Sequence, residues 1–145
     1  MKKDIPQPKV THLAIAVVPR PVPDPPGLSS PTKAEEIELW DCFILNLREA
    51  PITNVLISSK GYGTIDGEQK TTTTLRHFFD ELAPETAYKI EPIQTKLFDI
   101  TNEYWVSFNY DDHMYDKKYV FVKGSIVEEN FTKIPIVKRR GVMIR

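Results

Sequence analysis

Along most of this chain apolar residues alternate with polar ones or gather in short blocks closed by Pro, Gly or Asp, the pattern of strands rather than helices. Leu13–Val18 is the first apolar block. Trp40–Leu47 is apolar on both alternating faces, as expected of a strand buried on both sides. Arg48-Glu49-Ala50-Pro51 predicts a turn, because Pro51 stops the ladder and holds Ala50 extended, and Ile52–Ser58 predicts the returning strand. The three glycines in Lys60–Gly67 predict a loop. Thr71–Phe79 has two readings. Its β-branched run favours a strand, yet Thr74 could cap a short helix carrying Leu75, Phe78, Phe79 and Leu82 on one face. The strand, through about Phe79, is the preferred reading.

Tyr104–Tyr110 and Tyr115–Lys123 flank Asp111-Asp112-His113-Met114, which predicts a hairpin. With Asp112-His113 as its turn, Tyr104 opposes Phe121, Val106 opposes Tyr119 and Tyr110 opposes Tyr115. One face is then almost wholly aromatic, while Trp105, Ser107, Asn109, Lys118 and Val120 lie on the other. A three-residue turn would displace one strand by a residue and mix these pairs. Ile134-Pro135-Ile136-Val137 predicts a last strand, at an edge because Pro135 donates no ladder bond. Leu82–Ile90, with Tyr88 near the start of a strand, resembles the tyrosine corner of immunoglobulin-like and fibronectin type III sandwiches. The expected fold is therefore all-β, an antiparallel β-sandwich of that kind over residues 37–145, preceded by a Pro-rich N-terminal arm, 1–36, with one possible strand.

Eight of the twelve prolines fall in the first 31 residues, and Pro19–Gly27 reads as an extended connector. Arg20, Pro23 and Pro26 also have the spacing of a polyproline ligand for SH3-type grooves. Length and composition, 145 residues with 41% hydrophobic and 27% charged, suit one domain with an adequate core. The net charge of -1 disfavours binding driven by charge to nucleic acid or an anionic membrane. A lone cysteine, Cys42, rules out an intrachain disulfide or a paired-thiolate zinc site. No apolar run approaches a membrane span or a secretory signal, which points to the cytoplasm and leaves the Asn130-Phe131-Thr132 sequon without meaning.

Few residues suggest chemistry. Cys42 sits in the most apolar strand and reads as core. His77 with Asp80, or His113 with Asp111 and Asp116, could make an acid-base site, but no nucleophile elbow accompanies either. Asp111, Asp112, His113 and Asp116 match no calcium-loop or zinc spacing, and Gly61-Tyr62-Gly63 lacks the ending of a phosphate loop. Neither a metal nor a cofactor is expected. The candidate binding residues are Tyr104, Trp105, Phe108, Tyr110 and Tyr115 of the hairpin, with Lys117, Lys118, Lys138, Arg139 and Arg140. If the rings face solvent they offer a stacking platform, and if they face inward they are core.

Ser59–Gly63, Thr74–His77, Met114–Phe121 and Ile134–Val137 together resemble a family of small bacterial proteins often labelled phenylalanyl-tRNA synthetase alpha subunit, over roughly Leu39 to Arg145. The chain carries neither arginine pattern of a class II synthetase ATP site, so the resemblance implies kinship with that family and not aminoacylation. The expected function is a non-enzymatic module that binds a protein partner or a second copy of itself. RNA binding through the hairpin and the basic C-terminus is the alternative, and an enzyme around His77 or His113 the second.

Overall fold

The computed structural model describes residues 9–20 and 38–145; the connector and polyproline readings fall largely on 21–37, outside them. The described residues form strands β1 (Leu13–Pro19), β2 (Leu39–Asn46), β3 (Ile52–Ile65), β4 (Glu68–Thr71), β5 (Leu75–Leu82), β6 (Thr86–Gln94), β7 (Thr101–Tyr110), β8 (His113–Phe121), β9 (Thr132–Ile134) and β10 (Arg139–Ile144). Their only helical pieces are 3-10 turns at Thr95–Asp99 and Glu128–Asn130. The chain is all-β, in two antiparallel sheets. One has the order β6-β2-β1-β10-β9, and the other β4-β3-β7-β8 with β5 also on β3.

The continuous apolar block of β1 explains its central place. Leu13, Ile15 and Val17 join Cys42, Ile44, Val106, Phe108 and Tyr119 in the cluster between the sheets. Ala14, Ala16 and Val18 pack on the opposite face with Leu45 and Ile134. β10 lies so close that a Cβ on Gly141 would collide with the Val17 carbonyl oxygen, so this glycine is needed for its missing side chain.

Several sequence expectations change. β3 is not the return strand of β2, since β2 pairs with β1 and β6 while β3 enters the other sheet. Asn46 holds the crossing, its Nδ2 donating to the carbonyls of Ala50, Leu82 and Ala83, each at 3.1 Å. Lys60–Gly67 is no loop: β3 continues through it to Ile65, and Asp66 (φ 52°) and Gly67 (φ 78°) make the turn. That Asp-Gly pair is the signature of a tight primed hairpin turn. Leu75–Phe79 is strand rather than helix, as preferred, and runs on to Leu82, but the expected strand is broken at Thr72–Thr74, which separate β4 from β5 along one edge of β3.

The aromatic hairpin turns at Asp111 (φ 53°) and Asp112 (φ 62°), one residue earlier than expected. Tyr104 therefore opposes Tyr119, Phe108 opposes Tyr115, and Tyr110 opposes His113. Each pairing moves by two residues, an even number, so every side chain keeps its expected face. The expected last strand is instead mostly a turn. Ile134 closes β9, Pro135–Lys138 reverse the chain with Ile136 and Lys138 at positive φ, and β10 follows. In Leu82–Ile90 the Ala83 amide donates to the Tyr88 hydroxyl at 3.4 Å.

Candidate functional site

The outer face of the second sheet is not the polar surface that a solvated antiparallel face usually presents. Its register lays out two adjoining rows. Phe78 on β5 sits opposite Leu56 on β3, which sits opposite Ser107 on β7, which faces Asp116 on β8. In the next row Arg76 faces Ser58, Ser58 faces Trp105, and Trp105 faces Lys118. Phe78 is 58%, Trp105 46% and Leu56 40% exposed, with Met114 further along β8. The serines between them are too small to separate the apolar groups.

Cations bracket Trp105. Lys118 Nζ lies 5.1 Å from its ring centroid, within cation–π range, and 3.9 Å from Glu103 Oε1, while Arg76 closes the other end of the row. Glu103 also accepts a 3.1 Å bond from the Tyr62 hydroxyl. Partial burial and that carboxylate raise the Tyr62 phenol above its ordinary pKa.

The candidate residues from the sequence do not share one surface. Tyr104 and Phe108 are buried between the sheets. Tyr115 is half-buried and stacked on Phe108 at 5.3 Å, and Tyr110 is half-buried beneath the Arg48 guanidinium, 4.4 Å from its ring. Lys117 lies over buried Tyr119. Trp105 and Lys118 alone among them stand on the outer face. Lys138, Arg139 and Arg140 belong to the turn before β10 and to β10 itself, in the other sheet. Arg139 covers Phe43, and Arg140 donates to the Phe131 carbonyl. Leu56, Phe78 and Arg76 were missed as site residues. Alternation along β3 and β5 was the available signal, blurred because adjacent Phe78 and Phe79 put an aromatic ring on each face of β5.

The structure also builds a polar cluster at the edge where β6 meets β3 and β5. A bulge in β6, with Cys42 opposite Glu91 but Phe43 opposite Lys89, turns both Ile90 and Glu91 inward. Glu91 Oε1 takes hydrogen bonds from Ser59 Oγ (3.0 Å) and His77 Nε2 (2.7 Å), and Oε2 takes one from the Tyr104 hydroxyl (3.1 Å). His77 thus pairs with Glu91, not with the neighbouring Asp80. Burial, with the nearby Glu91 carboxylate, pushes the Tyr104 phenol well above its ordinary pKa, and burial does the same to the Cys42 thiol. Ser59 and His77 converge on one carboxylate oxygen rather than on each other, so the trio lacks the serine–imidazole hydrogen bond of a Ser-His-acid triad. Cys42 is fully buried, an inert thiol.

His113 turns its Nδ1 to the Asp111 carbonyl (2.7 Å) on the hairpin tip, and Asp116 falls on the opposite face. No group of three or more metal-binding side chains occurs among the described residues. Among them, too, no helix is long and apolar enough to cross a membrane. No protein-family model, curated protein or solved structure matches this chain.

Proposed function

We propose that this protein is a non-enzymatic binding module, an immunoglobulin-like β-sandwich that docks a protein partner on the outer face around Trp105. The hydrogen bond from the Ala83 amide to Tyr88 supports the immunoglobulin-like reading. The observation that carries the function is the exposed apolar row of Leu56 and Phe78 beside Trp105, on a sheet face where polar residues are expected. Such a flat patch with a central aromatic anchor suits a protein surface. Arg76 and Lys118 at both ends of the Trp105 row favour a partner segment that sets aspartate or glutamate beside an aliphatic or aromatic anchor. Leu56 and Phe78 favour protein over RNA, because they supply apolar area and no hydrogen-bond readout of bases.

A random peptide library displayed on phage and selected on the folded protein tests this. The expected result is enrichment of apolar anchors flanked by acidic residues, with binding lost in Trp105→Ala and Phe78→Ser while the melting midpoint stays in place. Selected peptides without that pattern, or binding that survives both variants, would overturn the reading. Salt-sensitive binding of a single-stranded RNA oligonucleotide that depends on Trp105 would replace it with the nucleic-acid alternative.

A further inference from the structure

The cluster around Glu91 borders a cavity of about 220 Å³ between β6 and the β3 edge. Drug-sized ligands occupy roughly 300–1,000 Å³, so this space suits something smaller. Its walls are mixed: Leu75, Ile93 and Leu97 supply aliphatic surface, and Thr72 and Thr73 add hydroxyl groups. Two largely buried side-chain acceptors line it. One is the Glu91 carboxylate, 12% exposed, which takes three protein hydrogen bonds and has room for a fourth. The other is Asn102, 5% exposed, whose Nδ2 is committed to the Leu97 and Ile100 carbonyls at 2.7 and 3.2 Å, leaving Oδ1 as an acceptor.

Gly61 keeps that oxygen accessible. A Cβ there would stand 3.1 Å from Asn102 Oδ1 and 2.9 Å from Ile100 Cδ1, filling the approach. Lys60, which also lines the cavity, holds its ammonium 5.9 Å from the Tyr62 ring centroid. Among the described residues, His77 is the basic side chain paired with Glu91. A largely buried carboxylate beside a neutral acceptor, with aliphatic side chains on another wall, recognises a group that donates several hydrogen bonds and carries positive charge.

We propose that this cavity binds a small organic monocation, an alkylammonium or amidinium with a short apolar body, its charged end between Glu91 and Asn102 and its body against Ile93 and Leu97. Titration of the isotope-labelled protein with benzamidinium, followed by amide NMR shifts, tests it, with benzoate as the anionic control. Saturable shifts at Ser59, Gly61, Ile93 and Asn102 are expected, with none from benzoate. Glu91→Gln should weaken binding by about tenfold or more, the loss of one charge-assisted bond. Leu75→Trp changes a residue that is 48% exposed, leaves the polar cluster intact and should block the cavity mouth. Absence of saturable shifts, equal binding of benzoate, or full affinity in folded Glu91→Gln or in Leu75→Trp would overturn the proposal.

Discussion

His77 donates from Nε2 to Glu91 Oε1 across 2.7 Å, joining β5 of one sheet to β6 of the other. Both side chains are mostly buried, at 25% and 12% exposure, so the contact is poorly screened. Ser59 and Tyr104 complete the carboxylate's partners, and the four side chains tie the two sheets together at one edge.

Removing the imidazole should therefore leave a buried carboxylate short of a donor. His77→Ala is expected to lower unfolding stability by about 1–3 kcal/mol, and His77→Gln, which keeps a donor, by less. Urea unfolding of the two variants measures the difference. Equal stability of His77→Ala and the parent protein would show that the contact contributes nothing.

The two faces of the aromatic hairpin should respond oppositely to truncation. Phe108→Ala opens a cavity in the core and should cost about 3–5 kcal/mol. Trp105→Ala removes an exposed ring from the outer face and should change stability by roughly 0.5 kcal/mol or less. Thermal melts of both variants test the register, and a reversed order would mean that the strand is turned over.

Alkaline pH should destabilise the fold. Unfolded tyrosine ionises near about pH 10 and unfolded cysteine near about 8.5, whereas burial holds Tyr104, Tyr119 and Cys42 protonated beyond those values. Above those pH values the unfolded state binds fewer protons than the folded one, so stability falls as pH rises. Its full value is retained below about pH 8.5, and each group removes up to about 1.4 kcal/mol per further pH unit. Tyr119→Phe should reduce the slope of a denaturation series run from neutral to strongly alkaline buffer, and an unchanged slope would count against a buried phenol.

Gly141→Ala tests the close approach of β10 to β1. The added methyl group meets the Val17 carbonyl and the Val18 side chain, and overpacking of this kind costs about 1–3 kcal/mol. Gly67→Ala meets no neighbouring atom but strains a left-handed turn residue, so it should cost less, about 1 kcal/mol. Chemical denaturation of both variants decides the ranking.

Alternation and turn chemistry were legible locally. The β1 and β2 blocks followed from their apolar runs, and the shared face of Tyr104, Val106 and Phe108 follows from the two-residue period of an extended chain, which a turn moved from Asp112-His113 to Asp111-Asp112 leaves intact; that this face is the inward one came from the structure. The excess of strand signals and the lack of long helical periodicity determined that the chain is all-β. Cys42 as a core residue followed from the apolar run around it.

Which strands become neighbours was decided only in three dimensions. Nothing local says that β3 leaves β2 for the other sheet, that β10 slips between β1 and β9, or that His77 bypasses Asp80 for Glu91. The bulge that aims Glu91 inward and the rows that set Leu56 beside Phe78 and Arg76 in line with Trp105 arise from pairing across long sequence separations. A single strand determines which side chains share a face, because its pleat has a fixed period. The partner across that face depends on which distant segments jointly bury the most apolar surface, a property of the whole chain.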